Sequence, residues 1–108
     1  MDYHTTLHLL HIFIIGGFLL YVGTKRQSLS TNWFRVMMIL GIVVILYHAY
    51  KYFGTNKGYW VKVFHFLIVG PLLLYTGYLG TSAPRYLFEY ILFTAFAAIG
   101  YHTYYLLL

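Results

Sequence analysis

Only seven Lys/Arg and two acidic residues interrupt a chain of 108. They fall so that four stretches of about 20 mostly apolar residues remain, the length a helix needs to cross a bilayer's hydrocarbon core. The stretches cover residues 3–24, 33–53, 59–79 and 86–108. Lys25 and Arg26 close the first. Arg35 and Lys51 lie near the ends of the second, where long side chains reach the headgroups, and Lys62 lies close to the start of the third. Residues 27–32 are polar and rich in helix-capping types, residues 54–58 read as a turn, and Pro84 sits where a helix start tolerates it. Tyr and Trp crowd the stretch ends (Trp33, Tyr50, Tyr52, Tyr59, Trp60, Tyr78, Tyr86, Tyr104, Tyr105), as in an interfacial aromatic belt. No segment alternates long enough for a transmembrane barrel. The expectation is an all-α integral membrane four-helix bundle, one domain over residues 1–108, with the lipid bilayer as its first partner.

Composition removes the competing classes. With 61% hydrophobic and 8% charged residues, the chain departs far from the about 25% charge of soluble domains. The absence of Cys excludes disulfides, thiolate metal sites and Fe–S clusters. The basic residues form no stripe that would follow a nucleic-acid backbone, so no nucleic-acid partner is expected. Met1–Asp2 is not the basic opening of a cleavable signal, and no small-x-small site follows the first apolar stretch. Four crossings put both termini on the same side. Lys25, Arg26, Arg35 and Arg85 at one end against Lys51, Lys57 and Lys62 at the other barely bias the orientation, towards cytoplasmic first and third loops.

Shifted by 54 residues, the sequence aligns with itself without a gap. His11, Gly16, Tyr21 and Gly23 fall on His65, Gly70, Tyr75 and Gly77, while Tyr47, His48 and Tyr50 fall on Tyr101, His102 and Tyr104. Leu matching Leu means little in an apolar chain, but His, Gly and Tyr in common register point to a tandem duplication of a two-helix hairpin, residues 1–54 and 55–108. A two-span repeat returns to the side it started from. The copies are then related by a pseudo-twofold axis along the membrane normal.

The same parity sets the depth of the histidines. His11, His48, His65 and His102 fall about 4–8 Å from the midplane, all in the half of the bilayer that bears the termini, one per helix. Gly41, Val44, Ala95 and Ala98 lie on the His faces of the second and fourth helices and leave room there. His4, His8 and His11 form a polar stripe, whose copy places Lys62 and His65 at the last two positions. Gly16, Gly23, Gly70 and Gly77, seven apart in pairs, are expected on a different face as a close helix–helix seam. Pro71 frees the carbonyl of Leu67 and predicts a kink in the third helix.

Three readings of this layer stay open. The imidazoles could ligate haem b or a transition-metal ion for electron transfer, with Tyr47 and Tyr101 as supporting hydrogen-bonding groups. They could relay protons in a channel or transporter, continued by His4, His8 and Lys62. Or they bind no cofactor and hold helices together in a structural or accessory component, forming a homo-oligomer or one subunit of a larger membrane complex. Arg35 and Glu89 occupy equivalent positions, which allows an ion pair across the axis; Glu89 with Arg85 four residues earlier is the local alternative. No phosphate loop, nucleophile elbow or His-Glu-x-x-His is present, so only a cofactor-borne redox activity survives among enzymatic classes.

Overall fold

The computed structural model describes residues 2–55 and 59–108, and every element among them is helical. Helix α1 runs over residues 3–25, α2 over Thr31–Thr55, α3 over residues 59–79 and α4 over Arg85–Leu107. The all-α, four-helix architecture is the one the charge spacing predicts, with each boundary within two residues of expectation. Asp2 starts α1 by accepting the Thr5 backbone N–H at 2.7 Å, a bond that holds its carboxyl below the usual carboxylate range.

α2 packs along α3 and α1 along α4, while α3 and α4 touch less extensively. The loops after α1 and α3 meet at one end, where Gln27 Nε2 donates to the Ala83 carbonyl at 2.9 Å. At the other end the start of α1 lies beside the end of α4, with the His8 ring stacked on Tyr105. The closely packed core sits towards the loop end: Leu19, Val22, Met37, Leu73, Phe88 and Ile91 are all but fully buried.

Many positions 54 residues apart are alike in burial, although Trp33 is exposed and Leu87 buried. Gly16, Leu19, Val22 and Gly23 are the buried residues of α1 after residue 15, and Gly70, Leu73, Thr76 and Gly77 those of α3 after residue 69. Phe34 matches Phe88, and Met37 matches Ile91. Each odd-numbered helix ends in a 3₁₀ turn, Arg26–Ser28 and Gly80–Ser82, that opens on a positive φ of 52° at Arg26 and 59° at Gly80. Glycine takes that backbone freely and arginine does not. Arg26→Gly is therefore expected to raise stability by about 1 kcal/mol in a thermal or denaturant melt, and a loss of stability would contradict strain at this turn.

The irregularity expected in the third helix near Pro71 has a counterpart in the first. Both odd-numbered helices contain a π-helical stretch, Leu10–Ile15 and His65–Val69, although Gly17 occupies in α1 the place of Pro71 in α3. Pro71 lies just beyond its stretch, near the first residue of the Gly70–Leu79 segment. The wide turns close with Gly16 N–H donating to His11 O and Gly70 N–H to His65 O, five residues apart. That bond brings residue 16 nearly above residue 11, where an α-helix would set it about 140° round. The glycine seam and the histidines thus share a side of the helix, against the expectation of different faces. A Cβ on Gly16 would come within 2.6 Å of Ile99 in α4, and one on Gly23 would overlap Leu92. On the matching side, Gly70 meets Ile45, Gly41 meets the Leu74 and Gly70 backbone, and Gly77 meets the Phe34 carbonyl. Ala95, 54 residues after Gly41, is fully buried.

Among the described residues, two helical stretches, Tyr3–Ser28 and Thr31–Gly54, are long and apolar enough to cross a membrane, and Leu67–Ser82 is a shorter apolar helix. α4 has the length, but five tyrosines, His102 and the Arg85–Glu89 pair reduce its apolarity. The pairing of Arg35 with Glu89 is not made. Glu89 accepts from Arg85 Nε at 3.0 Å on the exposed side of α4, and Arg35 is exposed on α2. Held between well-solvated partners, such a pair adds little to stability.

Candidate metal centre

The terminal half of the bundle brings the histidines together. His11 and His65 project from the two π-helical turns, His48 from α2 and His102 from α4. The His48 and His65 rings lie face to face with centroids 4.2 Å apart and planes 8° from parallel. His11 and His102 stack at 4.3 Å. His11 and His65 join the two pairs edge to face at 6.4 Å.

One ring nitrogen each from His11, His48 and His65 lies within 4.8 Å of the others, a grouping able to hold a metal ion. Around a tetrahedral zinc-like ion, with metal–nitrogen bonds of about 2.0–2.1 Å, ligand nitrogens stand about 3.3 Å apart. The three nitrogens therefore need to close by at most about 1.5 Å, and the parallel His48 and His65 rings must also tilt towards each other, because an imidazole lone pair lies in its ring plane. Two are already oriented by their own helices: His11 Nδ1 donates to the Leu7 carbonyl at 2.9 Å and His48 Nδ1 to the Val44 carbonyl at 3.0 Å. A neutral imidazole that donates from Nδ1 keeps its lone pair on Nε2, the arrangement commonly found around metal-bound histidine.

His102 stands beside this triad, buried, with Nδ1 2.8 Å from His8 Nδ1. If His102 donates that bond, its Nε2 is an acceptor available to the centre. If His8 donates, Nε2 of His102 carries the proton and cannot ligate. His8 thus belongs to the cluster as a neighbour of His102. His4 does not: it is exposed and lies edge-on to Tyr3. The Lys62 side chain lies outside the described residues.

The tyrosines diverge. Tyr101 is half-buried, lines the cavity below the rings and meets Trp60 and Tyr105. Tyr47 lies edge-on to its neighbour His48 but is exposed and takes no part in the cavity wall. Of the two, Tyr101 alone is among the residues that line the cavity.

That cavity, of about 200 Å³, is bounded by all four histidines at one end and by side chains such as Leu40, Val44, Val69, Leu73 and Ala98 elsewhere. Sequence reasoning placed Val44 and Ala98 on the His faces but missed the cavity. The available signal was a difference at the 54-residue offset, Val43–Val44 against Ala97–Ala98.

No carboxylate belongs to the centre. Asp2 caps α1, and Glu89 pairs with Arg85 near the start of α4. The donor set is entirely neutral, so an ion held there keeps its positive charge. Comparison of the chain with protein-family models, with curated proteins and with solved structures finds no match.

Proposed function

We propose that this chain is a multi-pass integral membrane protein, built from a duplicated helical hairpin, whose histidine centre binds a single transition-metal ion within the bilayer. Its place is that of an accessory or structural component of a membrane assembly, with any redox activity borne by the ion. The observation that carries the reading is the approach of His11, His48 and His65, from three different helices, to within one ion's reach.

The membrane setting draws support from what lies outside the bundle. In the most apolar windows of α1 and α2, only 22% and 11% of residues are buried, where a core helix of a soluble protein would be mostly covered. Phe13, Ile14, Ile39, Leu46, Phe93 and Phe96 all point outward. The 39 Å length of the bundle suits a hydrocarbon core of about 30 Å with part of each headgroup layer. The matched glycines, π turns and 3₁₀ turns support the duplication, and four crossings leave both termini on one side.

Imidazole nitrogen suits Zn, Cu, Fe and Ni. The neutral donor set favours low charge, since the cost of burying an ion rises with the square of its charge. Cuprous copper is the species that meets both conditions. Haem is the weaker alternative, because a porphyrin between axial ligands would have to separate rings that stack at 4.2 and 4.3 Å.

Purified protein in detergent, loaded with Cu(I) or Zn(II) and then desalted, is expected to retain about one ion per chain by elemental analysis. Complete loss of both ions on desalting would contradict the proposal. A second reading, proton relay, is favoured by one contact: the 2.8 Å His8–His102 pair leads from the centre towards the termini. Proton flux in liposomes that disappears in His102→Phe would support relay over metal binding.

A further inference from the structure

The cavity beneath the rings is larger and more apolar than the ligation of one ion requires. We propose that it binds a small, neutral, apolar molecule drawn from the bilayer, no larger than benzene, and holds it against the imidazole cluster. Only the meeting of that molecule with a metal rests on the function proposed above; the binding cavity itself does not.

Size and chemistry set the ligand class. An apolar protein cavity of about 150 Å³ stays dry and accepts benzene or xenon, and this one is about 200 Å³. Away from the rings its walls are Leu40, Val69, Leu73 and their apolar neighbours. Thr94 also reaches the wall, but its hydroxyl already donates to the Ile91 carbonyl at 2.7 Å. A water needs two to four polar partners, and the aliphatic end supplies too few. Among the described residues, neither a Lys or Arg nor a carboxylate belongs to the lining, so none of them would offset the charge of an ionic ligand.

The route inferred for entry lies between α3 and α4, which touch less extensively than α2 with α3 or α1 with α4. Trp60 and Phe64 of α3 and Ala97 of α4 line the cavity and are also exposed on the outer surface of the bundle. In the membrane setting proposed above, that surface faces lipid, where apolar molecules concentrate. Ala97–Ala98 opens this side, whereas the first repeat carries the larger Val43–Val44. At the inner end, the His11 and His48 rings line the cavity, each with its Nδ1 bound to a backbone carbonyl of its own helix. Diatomic gases are the members of this ligand class that could also coordinate an ion held there.

Xenon is the direct probe, because it reports the cavity without any metal. The full chain, metal-free in lipid nanodiscs and methyl-labelled at Leu, Val and Ala, is titrated with xenon pressure and read by NMR. Saturable shifts are expected, confined to the Leu, Val and Ala methyls of the lining: Leu19, Leu40, Val44, Val69, Leu73, Ala97 and Ala98. Ala98→Leu is expected to abolish saturation. Ala98→Val, which installs the residue of the other repeat, is expected to weaken binding at least about threefold and keeps the test valid if the larger side chain prevents folding. Shifts that rise linearly over all outward-facing methyls would overturn the proposal, as would saturable shifts unchanged in a folded Ala98 variant. The metal-retention experiment is independent, so either idea can fail while the other stands.

Discussion

Replacing His48 and His65 together with alanine is expected to lower metal affinity more than about 100-fold, measured by competition with a chromophoric chelator in detergent. Changes that merely disturb the partners of metal ligands typically cost 10–100-fold. The double substitution removes two of the three nitrogens that lie within 4.8 Å of one another, so it should exceed that range. A lone His11 would be left, oriented by the Leu7 carbonyl but without a second donor from the triad. His8→Ala is the informative contrast. His8 touches His102 and lies outside the triad, so its loss should change affinity by no more than about tenfold. Equal effects of the two changes would mean that the ion sits nearer the His8–His102 pair.

The second large effect is structural. Gly41→Leu is expected to destabilise the bundle by about 3 kcal/mol or more, or to prevent folding, in detergent unfolding experiments. At Gly41 even a Cβ would stand 2.7 Å from the Leu74 backbone nitrogen and 2.8 Å from the Gly70 carbonyl oxygen. Both obstacles are backbone atoms, so relief requires α2 and α3 to separate, which would move His48 away from His65 as well. Ala95 provides the control because α4 accommodates a methyl at the matching position. Ala95→Gly should cost only about 1 kcal/mol, through helix propensity. Comparable stability of Gly41→Leu and the natural chain would show that the close α2–α3 crossing does not hold the bundle together.

Much of this architecture was legible in the sequence because it follows from one-dimensional spacing. Charges and turn residues bounded the four helices, and the 54-residue self-match picked out the histidines and the glycines together. The π-helical turns were not legible. Gly17 and Pro71 stand at corresponding positions, and the same widened turn forms beside either, so proline does not signal it. Without that turn, regular helical geometry put Gly16 and His11 on different faces, while the structure brings both towards α4. Ring-to-ring partners were equally out of reach. The sequence placed four imidazoles at one level, but it could not pair His48 with His65 and His11 with His102, since those pairings depend on α2 packing along α3 and α1 along α4. His8 meets His102 and Tyr101 lines the cavity, while Tyr47 and His4 do neither, contacts that again depend on how the helices pack.

The central claim is convergence of three imidazoles on one ion, and X-ray absorption at the copper edge of the Cu(I)-loaded protein reads it directly. The predicted spectrum shows three nitrogen scatterers near about 2.0 Å with the outer-shell pattern of imidazole rings, diminished in His48→Ala with His65→Ala. A first shell of detergent or solvent oxygen, without the imidazole pattern and unaffected by those substitutions, would contradict it.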